Sequence, residues 1–195
     1  IGNALEVREA CETLRGNGPE DLTEVCVELA ANMLWLAEKG ELAQCRDLAK
    51  QQIENGRAFA KLKEMVQAQG GVVRMLEDPA QFTQPKVCYE VPAPRDGFLY
   101  TMNTELCGIA SVELGAGRER KEDPIDFSAG IVLRKKIGDF VQKGQILASF
   151  YSSEEKKCRI AEQTFLQALC IQDKMPKPVP LIHARVSANG VETSE

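Results

Sequence analysis

The stretch Gly138-Asp139-Phe140-Val141-Gln142-Lys143-Gly144-Gln145-Ile146-Leu147 decides how the second half of the chain folds. Its two glycines can adopt the positive φ that a tight corner between short strands requires. Val141 and Leu147 stand where the apolar side chains of such strands point into a core. A second corner of the same kind is Ala93-Pro94-Arg95-Asp96-Gly97. Together the two corners predict a small β-sandwich in this half of the chain.

Extended and helical patterns alternate around these corners. Short apolar runs predict strands over 87–91, 98–102, 130–134, 145–151 and 179–186. Helices are predicted over 104–114 and 153–173, the second of which includes Cys170. This pattern predicts an α+β domain over 87–187, followed by a polar, flexible tail over 188–195.

Residues 1–78 have a helical period instead. Asn3 and Glu6 have the spacing of a helix start, and Gly16 and Gly40 each follow an apolar helical stripe. The second helix is apolar on nearly every side, so we expect it to be buried. Its stripe consists of Leu29, Met33, Trp35 and Leu36. We expect this stripe to belong to a core, and part of it to be exposed only if the preceding half of the protein is missing. Residues 79–86, which contain two prolines, are expected to connect the two parts of the chain.

The beginning of the chain is abrupt. Ile1 leads within two residues into a helix, without an initiator Met. We therefore expect this sequence to be a piece of a larger chain.

Composition excludes two kinds of partner. The chain has 195 residues, of which 44% are hydrophobic and 27% charged, as in ordinary globular proteins. Its net charge of −5 argues against a nucleic-acid surface, which is basic. No apolar run approaches the ~20 residues of a membrane span. We expect neither nucleic acid nor a membrane as a partner.

The seven cysteines are odd in number, and no two have the C-x-x-C spacing. With His183 as the single histidine, they provide no cluster of zinc ligands and little basis for a Cys–His catalytic pair. Free, buried thiols in a reducing cytoplasm are the expected state.

The two corners are similar to turns of biotinyl and lipoyl carrier domains. A carrier domain also needs a lysine alone at a hairpin tip. The residues after Leu147 contain none up to Lys156 and Lys157, which fall in a predicted helix. The corners are therefore interpreted as architecture, with a carrier domain as a less favoured alternative.

Several blocks, in order along the chain, resemble the thymidine and pyrimidine-nucleoside phosphorylases. They are Ile1-Gly2-Asn3-Ala4-Leu5-Glu6-Val7-Arg8-Glu9-Ala10, Gly16-Asn17-Gly18-Pro19-Glu20-Asp21-Leu22-Thr23-Glu24, Ala68-Gln69-Gly70-Gly71, Leu114-Gly115-Ala116-Gly117-Arg118, Gly130-Ile131-Val132-Leu133-Arg134-Lys135-Lys136-Ile137-Gly138-Asp139 and Val141-Gln142-Lys143-Gly144. The resemblance implies the C-terminal half of such an enzyme. Its fold would be a helical segment of an α/β domain, then an α+β domain with a barrel-sandwich-hybrid core.

The activity implied by this resemblance is that of a pentosyltransferase in nucleoside salvage. The reaction is the reversible phosphorolysis of thymidine, uridine or deoxyuridine to a free base and a pentose 1-phosphate. Pyrimidine nucleoside and inorganic phosphate are the implied partners, and the implied whole protein is a cytoplasmic homodimer. The AMP phosphorylases are a related alternative, and a non-catalytic α+β binding or scaffold module is another.

In the resembled family, the phosphate-binding and base-binding motifs precede the first of these blocks. We therefore expect no catalytic residue and no organic cofactor in this chain, and no activity from it alone. Thymidine-only and broader pyrimidine specificity both stay open.

One ligand is implied within the chain. The resemblance aligns Glu9 with a glutamate that, together with two backbone carbonyls, binds a potassium-like cation. Taken by itself, Glu9 is equally an acid near the N-terminus of a helix, where the helix dipole favours it.

The loop that begins with Gly115, Gly117 and Arg118 is the second candidate. Glycines followed by basic residues can bind an anion or close over a cleft. The acidic residues Glu119, Glu122 and Asp123 argue against a phosphate site. We expect the loop to help close a cleft over substrate; the alternative is a helix end followed by a solvated charged loop.

Overall fold

A computed structural model of the chain describes residues 1–188 and 190–193. It consists of two compact units. The first, here called the sheet unit, contains Ile1–Val7 and Ala80–Pro178, and the second, the helical unit, contains Arg8–Pro79 and Val179–Glu195. The sequence predicted one division, at 79–86. In addition, the first seven residues belong to the sheet unit, and Val179–Glu195 belongs to the helical unit.

The described residues form helices and short strands. The helices are α1 Asn3–Leu14, α2 Glu20–Leu36, α3 Leu42–Glu54, α4 Arg57–Ala68, α5 Arg74–Glu77, α6 Thr104–Glu113 and α7 Glu155–Ala168. The strands are β1 Val87–Pro92, β2 Gly97–Met102, β3 Gly130–Leu133, β4 Phe140–Val141, β5 Ile146–Ser152, β6 Leu169–Gln172, β7 Ala184–Ser187 and β8 Gly190–Thr193. The predicted α+β class is confirmed.

The sheet unit has two three-stranded antiparallel sheets, in the orders β1-β5-β3 and β4-β2-β6. Val141 and Leu147 are fully buried in one core, as the sequence predicted. Gly138 and Gly144 both have positive φ, +97° and +84°, at the predicted corners. Among the described residues the sheets do not close into a barrel.

Helices α6 and α7 cover this core. Phe165 of α7 lies edge-on to Phe150 of β5, with 5.4 Å between ring centroids. Both rings are fully buried, and burial of aromatic side chains of this size contributes strongly to stability.

The predicted helix over 153–173 is wrong at its C-terminal end. Helix α7 ends at Ala168, and Leu169–Gln172 pairs with β2 instead, so Cys170 lies in a strand. The backbone of Leu169 is extended, and the carbonyl of Ala168 accepts a hydrogen bond from the Asn103 amide at 2.8 Å. Pairing with the edge of β2 thus replaces a further turn of helix α7.

Two predictions near the C-terminus are also corrected. The strand predicted over 179–186 is shorter and ends one residue later, at Ala184–Ser187. Before it, Pro176, Pro178 and Pro180 lack the amide that strand pairing needs. Residues 190–193, predicted to belong to a flexible tail, pair with β7. Residues 189, 194 and 195 of that predicted tail lie outside the described residues.

The helical unit has a core of small side chains. Its buried hydrophobic residues, among those described, are Cys11, Val27, Ala31, Cys45, Ala49 and Leu76. Within these 195 residues the α2 stripe is not buried as expected by default, since Leu29, Met33 and Leu36 are 62%, 70% and 73% exposed. Val27 and Ala31 are the buried residues of α2. A helix that is apolar nearly all round can turn only one face to its neighbour, and the rest stays exposed.

Two helix ends show how the chain turns. At the end of α1, Gly16 has a φ of +84°, and the amides of Gly16 and Asn17 bond back to Thr13 and Glu12, as predicted. At the end of α2 the same role falls to Glu38, with a φ of +56°, and not to Gly40. The Glu38 and Lys39 amides donate to the carbonyls of Trp35 and Leu34.

Candidate functional site

Glu9 is exposed on α1. Its backbone carbonyl accepts a 2.8 Å hydrogen bond from the Thr13 hydroxyl. A carboxylate oxygen is chemically suited to a hard cation, so the residue type fits the expected ligand. Within the described ranges, however, no group of three or more His, Cys, Asp and Glu side chains could hold a metal ion. Glu9 by itself therefore supplies one oxygen-donor side chain and not a complete site.

Local structure explains why glycine stands at both glycine positions of the predicted cleft-closing loop. Gly115 has a φ of +106°, and its amide donates to the Val112 carbonyl at 2.8 Å, while the Ala116 amide donates to that of Ser111 at 3.0 Å. These two bonds form a Schellman end to α6. A Cβ on Gly117 would lie 2.8 Å from a methyl group of Val112.

The loop then leaves the helix and returns to it. The Asp126 amide donates to the Gly115 carbonyl at 2.9 Å, which closes the base of the loop. At the tip, the Arg120 amide donates to the Asp123 carboxylate at 2.8 Å, and Arg118 is exposed. The tip is thus a hydrogen-bonded turn that presents charge of both signs to solvent.

Asp126 stabilises the base of the loop. Its carboxylate accepts hydrogen bonds from the Ser128 amide and hydroxyl at 2.9 and 2.6 Å. Burial raises the pKa of Asp126, but the hydrogen bonds from Ser128 and Ser153, together with the charge of Lys157, outweigh burial and lower the pKa overall. The group is therefore ionised at neutral pH.

Asn3 has a role that the sequence did not predict. Asn3 is the first residue of α1. The Glu6 carboxylate accepts a hydrogen bond from the Gly2 amide at 3.1 Å, and Gly2 is one residue before the expected partner, Asn3. The side-chain amide of Asn3 donates instead to the Ala116 carbonyl, at 2.9 Å, at the start of residues 116–125, here called the charged loop. No local pattern could have revealed this contact, since 113 residues separate the two partners.

All seven cysteines are free, and Cys11, Cys45, Cys107 and Cys158 are buried as expected. Burial raises the pKa of Cys11, Cys107 and Cys158, which keeps these thiols protonated and poorly nucleophilic. Two others depart from the prediction, because Cys26 and Cys88 are exposed.

None of the helices in the described part of the chain is both long enough and apolar enough to cross a membrane.

Comparison with known proteins identifies the sheet unit. The family described as "Pyrimidine nucleoside phosphorylase C-terminal domain" matches residues 98–172, which run from the first residues of β2 to the end of β6. This match covers the corner over 138–147 and helices α6 and α7, whereas the corner over 93–97 lies just before it.

Several curated relatives match a longer part of the chain. The chain is 43% identical over 157 residues to a pyrimidine-nucleoside phosphorylase of Geobacillus stearothermophilus, a match covering 80% of this chain and 36% of the relative. It is 38% identical over 189 residues to the Bacillus subtilis (strain 168) pyrimidine-nucleoside phosphorylase, covering 96% of this chain and 43% of the relative.

The chain thus spans about two fifths of the length of these relatives. The domain match over residues 98–172 and these relatives support the pyrimidine-nucleoside phosphorylase family for this chain.

Proposed function

We propose that this chain is the C-terminal part of an enzyme that catalyses reversible phosphorolysis of pyrimidine nucleosides, giving a free base and a pentose 1-phosphate. The observation that carries the proposal is the family match over residues 98–172, supported by relatives of that name at 38–43% identity. Thymidine, uridine and deoxyuridine are the proposed nucleosides.

The chemistry of this reaction indicates what the chain must be joined to. Phosphate attacks the sugar while the base departs, so the enzyme must hold both reactants in line and donate hydrogen bonds to developing negative charge. We assign these donors to the part of the full-length polypeptide that lies outside these 195 residues. The chain alone is then inactive.

The exposed apolar face of α2 is consistent with this assignment. Leu29, Met33 and Leu36 are spaced by about one helical turn each and are mostly exposed. A contiguous apolar face of this kind is typical of a surface that packs against other protein. We propose that the remainder of the phosphorylase polypeptide covers it.

A homodimeric whole enzyme and a cytoplasmic location are further parts of the proposal.

Phosphate-dependent release of a free base by the full-length polypeptide tests the proposed reaction. Uracil from uridine and thymine from thymidine are expected, each only when phosphate is present. Release of adenine from AMP with no release from pyrimidine nucleosides would contradict the proposal and indicate the related AMP-specific activity instead.

The charged loop is proposed to close over the bound nucleoside. The hydrogen bond from the Asp126 amide to the Gly115 carbonyl closes the base of the loop. The exposed tip can therefore move without unfolding of α6. Deletion of residues 118–121 in the full-length enzyme should raise the KM for nucleoside at least several-fold, because the cleft would stay open to water. Lys143→Ala, at another exposed basic residue of the sheet unit, serves as the control. An unchanged KM after the deletion would contradict this role.

Glu9 is proposed as the single side-chain ligand of a potassium-like cation. In the full-length enzyme, Glu9→Gln should raise the potassium concentration needed for half-maximal activity, since a neutral amide binds a hard cation less well than a carboxylate. Glu12→Gln, on the same helix, is the matched control. If Glu9→Gln and the wild type need the same potassium concentration, the assignment is wrong.

A further inference from the structure

The first turn of α1 contacts both ends of the charged loop. The Asn3 side-chain amide donates to the Ala116 carbonyl at 2.9 Å, just after the loop leaves α6. The Ala4 backbone amide donates to the Phe127 carbonyl at 3.1 Å, just after the loop returns. All four residues belong to the sheet unit. One helical turn therefore contacts the charged loop, residues 116–125, at its start and immediately after its end.

The contact at Ala116 depends on a particular chemical group. The carbonyl of Ala116 can only accept, and the amide nitrogen of Asn3 provides the donor. An aspartate at this position would place a carboxylate oxygen against the carbonyl. The start of α1 itself would not suffer, because aspartate is well tolerated at a helix N-terminus.

We infer that Asn3 is a positioning residue for the charged loop, since its side-chain amide fastens residue 116 to the first turn of α1. The loop and α1, the helix that carries Glu9, are thereby linked through one side chain. The link itself stands on the geometry. Its consequence for catalysis rests on the proposed function, in which the loop closes over substrate.

Tryptic cleavage in the full-length polypeptide tests the link, because the loop contains Arg118, Arg120 and Lys121. The Asn3→Asp variant should be cleaved about fivefold faster at these three sites, as measured by mass spectrometry of the released peptides. Loss of one hydrogen bond of ordinary strength shifts an opening equilibrium by about this factor. The temperature of thermal unfolding should stay unchanged.

Asn103→Asp is the matched control. Asn103 also lies at a helix start, but its side chain bonds through oxygen, which accepts from the Leu106 amide at 3.1 Å. The same amide-to-carboxylate change should therefore leave loop cleavage at the wild-type rate. Equal cleavage of Asn3→Asp and wild type would overturn the inference.

A second measurement applies if Asn3→Asp is destabilised as a whole. Hydrogen–deuterium exchange of Asn3→Ala should rise in peptides covering 115–126 and stay at the wild-type level in peptides from α7. An equal rise in both would show a general loss of stability and overturn the positioning role.

The nucleoside KM separates this inference from the proposed function. If Asn3→Asp loosens the loop and raises the KM while kcat changes little, both stand. If the loop is loosened and the KM is unchanged, the anchoring role of Asn3 stands and the cleft-closing role of the loop fails. If the loop is not loosened, the anchoring role fails whatever the KM.

Discussion

Gly2 and Gly130 face each other in an antiparallel bridge, with φ of +139° and +153°. The Ile131 amide donates to the Ile1 carbonyl at 2.7 Å beside them. A Cβ on Gly2 would lie 2.6 Å from the Ala129 carbonyl oxygen, and one on Gly130 would overlap the carbonyl of Ile1. The pair lets two backbones approach more closely than side chains would permit.

We predict that Gly130→Ala costs more stability than Gly138→Ala. Both residues have positive φ, but a Cβ on Gly138 would meet no atom within 4 Å. Gly138→Ala should therefore cost about 1 kcal/mol from the backbone conformation alone. Gly130→Ala should cost about 1–3 kcal/mol more, because the backbone of residues 1–2 must move.

Urea unfolding of the two variants measures the difference. Equal free energies of unfolding would show that backbone conformation, and not the close approach of residues 1–2, explains Gly130.

Single residues were predictable where the requirement is local. Gly16, Gly138 and Gly144 turn the chain where the sequence placed them, because the need for positive φ follows from neighbouring residues. Glu38 was not predictable, since a glutamate rarely adopts positive φ and Gly40 stands two residues later. The contact of Asn3 with Ala116 likewise depends on distant parts of the chain.

At the scale of elements, small side chains and the Arg46–Glu28 ion pair lie between α2 and α3. The Arg46 guanidinium donates two hydrogen bonds to the Glu28 carboxylate, at 2.6 and 2.9 Å. The hydrogen bond from Arg46 is the largest influence on Glu28 and lowers its pKa from the ordinary value of 4.5. Glu28 is mostly shielded by its neighbours, with 18% of its side chain exposed.

The pair should make stability depend on pH. A carboxyl group whose pKa is lowered by folding stabilises the fold above its ordinary pKa, and this contribution is lost as the pH falls through the lowered value. Glu28→Gln should therefore cost about 0.5–1 kcal/mol at pH 7 and less as the pH falls below 4.5.

The free energy of unfolding in urea at pH 7 and at pH 3 measures this difference. Glu24→Gln, at an exposed residue one turn earlier on α2, should show no such dependence. A cost for Glu28→Gln that is the same at both pH values would contradict the role of the ion pair.

Elements were predicted from sequence where one period persists. Helices α1 and α6 and strand β3 lie close to their predicted positions. The boundary between α7 and β6 was missed because the apolar residues Leu169, Cys170 and Ile171 suit either structure. The edge of β2, distant in sequence, decides between the two.

For the whole molecule, the two units differ in how well they bury apolar surface. The sheet unit has a core that includes Phe150, Phe165, Ile131 and Leu147. The helical unit buries mostly alanine and cysteine and exposes Leu29, Met33 and Leu36. The fold class and the family could be predicted from the sequence. The exposure of α2 was expected only if the preceding half of the protein is missing, because a hydrophobic stripe does not reveal which part of a protein covers it.

The central proposal is that this chain is part of a pyrimidine-nucleoside phosphorylase whose catalytic groups lie outside it. The most direct test measures phosphate-dependent release of uracil from uridine and thymine from thymidine, by the 195-residue chain and by the full-length polypeptide, at equal concentrations. We predict release by the full-length polypeptide and none by the chain alone. Release by the chain alone, or by neither, would contradict the account.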